Sequence, residues 1–191
     1  ESGEMKRALA NRDIRLLGLA FACFTLVTVS IGTYYPTYLN VTLGYSLGRA
    51  ALISSIAMLM ILFSAPMAGW ISDRIGSRRL VFSLPFLVLG FLLLFPFRVT
   101  GWQIIAVIVV QGLVGGFIPT AAFTAAPELM RKPQLAGMGL AVVLVGQNLG
   151  QLLGPIVFGQ FVSHIGWIYA GYLLIPVCLV GFISGWLVRI R

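Results

Sequence analysis

Long apolar runs, each closed by a short polar turn, set the pattern of this chain. Ile14 to Leu39 holds no ionised side chain after Arg15, and Ser46 to Ser72 holds only Arg49. The runs 80–97, 102–127, 136–163 and 166–188 hold none. A helix needs about 20 apolar residues to cross a bilayer. The pattern therefore predicts six spans, at residues 14–39, 46–72, 80–97, 102–127, 136–163 and 166–188. With short connectors they use up residues 1–191 as one transmembrane bundle, so no separate soluble domain is expected. The first run exceeds the roughly 7–15 apolar residues of a secretory leader, and five more follow it, so none is expected.

Composition agrees. Of the 191 residues, 59% are hydrophobic and only 9% are charged, against about 25% charged in soluble domains. A water-soluble fold of this size could not cover its surface with so few polar groups. Cys23 and Cys178 both fall inside predicted spans and read as packing residues, not as a disulfide or a metal pair. No metal or cofactor is expected.

The net charge of +8 would suit nucleic acid, but its distribution points to topology. Eleven of the 13 basic residues fall at the termini, in the 2–3 connector or in the 4–5 connector. They are Lys6, Arg7, Arg12 and Arg15, then Arg74, Arg78 and Arg79, then Arg131 and Lys132, then Arg189 and Arg191. The opposite side keeps only Arg49 and Arg98. The positive-inside rule places the richer side, and with it both termini, in the cytoplasm. The expected location is a bacterial-type inner membrane. The expected partner of these arginines is the lipid headgroup region, not nucleic acid.

Prolines 36, 66, 85, 119, 155 and 176 lie inside the spans. In a bilayer, where no water competes for the backbone, kinked helices persist. Gly146, Gly150 and Gly154 repeat every four residues and are followed by Pro155. That smooth face predicts close packing against a partner helix and a bend. An echo links the halves of the chain: "PMAGWISDRIG" from Pro66 matches "PIVFGQFVSHIG" from Pro155, and "YPT" at 35–37 matches "IPT" at 118–120. A three-helix unit followed by a related one must insert inverted, because three is odd. The expected fold class is thus an all-α membrane protein, six transmembrane helices arranged as two inverted three-helix repeats.

The connector between spans 2 and 3 concentrates charge: Gly69-x-x-x-Asp73-Arg74-x-Gly76-x-Arg78-Arg79. This resembles the signature loop of the major facilitator superfamily, secondary transporters built from two six-helix halves. Gly150-x-x-x-Gly154-Pro155-x-x-Phe158-Gly159 in span 5 is similar to the glycine-proline motif of that family's fifth helix, with Phe158 in place of a glycine and Ala141 in place of an earlier one. The resemblance covers six spans, half of a usual member. Span 4 lacks the arginine common in the first half, the chain opens on a charged lead, and it stops soon after span 6. These features favour the C-terminal half.

The resemblance implies a gate. Asp73 would face the positive end of a neighbouring helix in the complementary six-helix half, in the same protein or a second chain. Glu128, at the end of span 4, would pair with Arg74 or Arg78. Gly69 and Gly76 would permit close approach and a tight turn. The alternative is a charge cluster that only fixes topology. The resemblance also implies that the first and fourth helices line a cavity, the second and fifth flank the other half, and the third and sixth face lipid. On span 1, Thr25, Thr28, Gly32 and Tyr35 share a face at steps of three, four and three, with Tyr34 beside them. Gln111 on span 4 and Gln147, Asn148 and Gln151 on span 5 add amides. The candidates for contact with a small-molecule substrate are Thr25, Thr28, Tyr34, Tyr35, Gln111 and Asn148. His164 falls in an outer connector, and no acid or histidine falls mid-span.

An enzyme would need a clustered constellation such as paired carboxylates, a metal-ligand cluster or a Ser–His pair, and one histidine, two buried cysteines and peripheral acids do not make one. The expected function is secondary active or facilitative transport of a small solute by alternating access. The alternative is a non-transporting scaffold or receptor that reuses the half-fold.

Overall fold

The computed structural model describes residues 10–130 and 135–189, all of them helix, turn or connector. Lys6, Arg7, Arg131, Lys132 and Arg191 lie outside the described residues. The helices are α1 (Arg12–Val41), α2 (Leu47–Ile75), α3 (Arg78–Leu92), α4 (Trp102–Gly115), α5 (Phe117–Leu129) and α6 (Ala136–Leu187). Four stretches are long and apolar enough to cross a membrane: α1, α2, the α4–α5 run Trp102–Leu129, and α6.

Local chemistry sets the boundaries. Asn11 caps α1 by accepting from the Asp13 N–H at 3.0 Å, and its amide donates to the Leu129 carbonyl at 3.0 Å, tying the start of α1 to the end of α5. Ser46 accepts from the Arg49 N–H at the start of α2. Gly76 ends α2 in the left-handed region (φ 66°), its N–H bonded to the Ser72 carbonyl at 3.1 Å. Glycine alone takes that conformation without a steric cost. α3 has only 15 residues and stops at Leu92, although the apolar run continues to Phe97. Past Leu92 the chain closes into tight turns, such as Phe95 N–H to Leu92 O, and Pro96 has no N–H with which to extend a helix. α4 and α5 meet at Gly116, whose backbone is still helical (φ −74°, ψ −18°).

α6 spans 52 residues, which as a straight rod would extend about 78 Å. It is not straight. Gly166 has φ 79° and ψ 173°, a conformation essentially confined to glycine. The chain doubles back there. Gly139, near the start of α6, faces Met130 and Ile14. Past its end, the Arg189 N–H reaches Asp13 Oδ1 at 3.4 Å. Both ends of α6 therefore lie at the end of the bundle where α1 begins. Its limbs are residues 136–165 and 167–187.

Small residues decide which helices pair. α1 packs along the first limb of α6, where Gly146 meets the Gly18 backbone, Gly150 meets Ala22 and Thr25, and Gly154 meets Leu26 and Ser30. α2 packs on α4, with Gly112 against Ala57 and Met60 and Gly116 against Ser64. The Ser64 hydroxyl bridges the pair, donating to Ile61 O and Gly112 O. α3 packs on the second limb of α6, where Phe86 covers Gly181 and Phe82 covers Gly185. Without a hydrophobic drive between helices in lipid, such backbone-close contact is what holds them together. The outer face of α2 is unlike any water-facing surface: Leu52, Leu62 and Phe63 are 65–73% exposed. Such a face suits lipid or another helix.

An aromatic cluster fastens the end opposite Asp13. The hydroxyls of Tyr35 and Tyr38 donate to the carbonyls of Pro96 and Phe97, each at 3.1 Å. The Phe97 ring meets Tyr38 edge-on at 5.0 Å and stacks on Trp167 at 5.9 Å. The turn after α3 is thus pinned to α1 and to the second limb of α6. Tyr38→Phe is expected to lower stability by about 1 kcal/mol, because a buried carbonyl loses its donor. The Tyr35→Phe/Tyr38→Phe double variant should lose about 2 kcal/mol, read from thermal unfolding in lipid.

Candidate functional site

Two regions gather the polar side chains. The first is the charged loop where α2 gives way to α3. Arg78, at the first turn of α3, donates to Glu128 at the last turn of α5, which ion-pairs the two helices. Arg74 instead lies over the Trp70 ring at 4.2 Å, and Arg79 over Trp186 of α6 at 4.2 Å. Arginine over an indole face keeps its charge while covering apolar surface. Asp73 is exposed and has no ion-pair partner among the described residues. It sits with Ser72, Gly76, Arg78 and Glu128 around a polar recess of about 310 Å³. Gly69, one turn earlier, has nothing within 4 Å of where a Cβ would stand.

The second region is a pocket of about 400 Å³ between α1, α2 and α4. α1 supplies Thr28, Gly32 and Tyr35, a single face stepped by four and three residues. α4 supplies Ile108, Gln111, Gly112 and Gly115, again one face. α2 supplies Ser54, Ser55 and Met58. No lining residue is acidic or basic.

The structure separates the substrate candidates read from the sequence. Thr28, Tyr35 and Gln111 line this pocket together. Thr25 does not: it is buried against α6 and donates to the Gln147 carbonyl at 3.1 Å as well as to its own helix. Tyr34 packs on Phe158 and Trp167 and closes over Gly159. Asn148 is exposed on the face of α6 turned away from α1. Gly146, Gly150 and Gly154 pack against α1, and Pro155 follows them inside the helix. His164 is exposed near the α6 reversal, its Nδ1 at 2.7 Å from the Gln160 carbonyl.

Some features escaped the sequence. Ser54, Ser55 and Met58 of α2 wall the pocket, and only the face of α2 they share with Ala51 could have signalled it. Phe158, which breaks the glycine pattern, stacks on Phe97 and is buried in the aromatic cluster.

The chain belongs to a known class. Residues 17–191 match the Major Facilitator Superfamily, and the chain is a member of that family of membrane transporters. It is 30% identical over 171 residues to MdtD of Serratia proteamaculans (strain 568), named as a multidrug resistance protein; the alignment covers 88% of this chain and 35% of that one. It is 29% identical over 166 residues to the multidrug resistance protein MdtG of the same organism, covering 86% of this chain and 40% of MdtG. Against MdtD of Pectobacterium carotovorum subsp. carotovorum (strain PC1) the identity is 27% over 187 residues, covering 95% and 39%. The chain thus spans between about a third and two fifths of these relatives. With its long apolar helices, it is an integral membrane protein.

Proposed function

We propose that the chain crosses the membrane six times, as two inverted three-helix units, and works as one half of a transporter that moves a small solute by alternating access. The complementary half would be a second six-helix bundle, and span 4, free of arginine, favours the C-terminal half for this one. The helix pairing supports the inverted repeat. Exchanging spans 1, 2 and 3 with 4, 5 and 6 turns the α1 contact with the first limb of α6 into the α2 contact with α4. It maps the contact of α3 with the second limb of α6 onto itself. Both termini would then be cytoplasmic, with the charged loop on the same side.

The observation that carries the transport reading is the pocket itself. Residues of the first and fourth spans face a common space, walled by α2 and open on one side through the exposed Gly32, Ala51, Ser55 and Met58. At one end of that bundle lie Asp73 and the Arg78–Glu128 pair, placed to respond when a second bundle closes on them. The names of the relatives suggest drug-like organic compounds as substrates. The test is efflux of Nile red, a neutral apolar dye, from cells that make the natural full-length protein. Faster efflux than in cells without it is expected. Dye retention equal to that of empty cells, with the protein present in the membrane, would remove the reading.

A further inference from the structure

The polar groups of the pocket differ in what they have left to offer a ligand. Thr28 donates to Phe24 O at 2.9 Å and Tyr35 to Pro96 O at 3.1 Å. Ser54 donates to Ala50 O and Ser55 to Ala51 O, each at 2.9 Å. A hydroxyl has a single proton, so all four of these donors are already engaged with backbone. The hydroxyl oxygens can still accept. Gln111 is different. Among the described residues its carboxamide has no hydrogen-bond partner, and it lines the pocket one turn from Ile108 and beside Gly112. It brings two free N–H donors and a free carbonyl.

This asymmetry selects the ligand. A ligand donor could meet any of four hydroxyl oxygens or the Gln111 carbonyl, so it is read by no single residue. Among the described residues of this chain that line the pocket, the Gln111 amide alone has a side-chain donor left for a ligand acceptor. A charged group would find no counter-charge in the wall that this chain provides, so the part of the ligand seated against it is uncharged. Gly32 lines the open side of the space, and nothing lies within 4 Å of a Cβ built there.

We propose that this pocket holds an uncharged, mainly apolar part of the ligand and recognises one carbonyl on it through the side-chain amide of Gln111. The inference rests on the reading of the pocket as the transport cavity. It narrows the part of the substrate that this half meets to an uncharged, mainly apolar group with a carbonyl turned toward α4.

The test uses the natural full-length protein in lipid nanodiscs with two probes of the same tricyclic frame, 9-fluorenone and fluorene. Binding is measured against empty nanodiscs. Wild type should prefer fluorenone about five- to tenfold, the share of one neutral hydrogen bond. Gln111→Leu should bring the ratio to about one while fluorene still binds as before; Gln111→Met, unbranched like glutamine, repeats the measurement if the leucine variant folds poorly. Gly32→Leu should weaken both probes about tenfold or more, because Gly32 lines the pocket and a leucine there would take up part of its space. If Gly32→Leu leaves both probes unaffected, the pocket is not the cavity and the transport reading of it falls. If Gly32→Leu blocks both but the preference survives the Gln111 variants, or wild type shows no preference, the pocket stands and the role of Gln111 is overturned.

Discussion

Gly150→Ala is expected to destabilise the bundle by about 3 kcal/mol, near the upper end for a single added methyl. The reason is what the methyl would meet. A Cβ at Gly150 would overlap the Thr25 hydroxyl and the Ala22 carbonyl of α1. Neither can step aside, because one is backbone and the other is tied to Phe21 O and Gln147 O. Relief requires α1 and α6 to move apart. That would also loosen Gly146 against Gly18, and Gly154, where a Cβ would lie 2.7 Å from Leu26 O. Gly32→Ala is the control. It lies on the same α1 helix with open space around it, and alanine favours helix over glycine by about 1 kcal/mol. Thermal unfolding in lipid should show a large drop for Gly150→Ala and no drop for Gly32→Ala. Equal melting of the two would mean that α1 and α6 do not meet along this stripe.

That contrast marks how far the sequence could be read. The spacing of Gly146, Gly150 and Gly154 announced a smooth face and a close partner, but a spacing does not name the partner. The partner proved to be α1, through Gly18 and Thr25, so the stripe serves the inside of this bundle. Thr25 shows the same limit from the other side. Its step of three from Thr28 puts both near one face, yet the turn between them is enough to send Thr25 to α6 and Thr28 to the pocket. The long apolar runs were legible because bilayer thickness imposes a length. The end of α3 at Leu92 was not, because Phe91–Phe97 is apolar whether it coils or spans, and Pro96 with its turns decides the matter. Nor could hydropathy show that residues 136–187 run as helix up to and beyond Gly166, since one positive φ makes the reversal. Contacts made by hydroxyls with distant carbonyls, such as Tyr35 with Pro96, leave no local pattern at all.

Asp73→Asn is expected to shift the ratio of inward-open to outward-open protein several-fold, and up to about thirtyfold, without changing insertion or folding. The scale is that of a carboxylate against a helix N-terminus, about 0.3–2 kcal/mol. The loop contains two kinds of charge. Arg78 and Glu128 satisfy each other within the bundle, with side chains 27% and 50% exposed, so the pair contributes at most about 1 kcal/mol to stability. Breaking it by Glu128→Gln should move the melting temperature little. Asp73 has no ion-pair partner among the described residues, although Arg78 and Glu128 border the same recess. Its charge is therefore available to whatever closes over this end. The open surface at Gly69, one turn away, leaves room for a helix to approach. A carboxylate that meets a positive helix end in only one state favours that state, and asparagine, nearly the same size, keeps the shape and loses the charge. Labelling of a thiol at Thr28, in the pocket, reports which side is open. Labelling rates from the two sides that match between Asp73→Asn and its parent would reduce the loop to a topology signal. A shift for Asp73→Asn together with none for Glu128→Gln would locate the gate in the unpaired carboxylate alone.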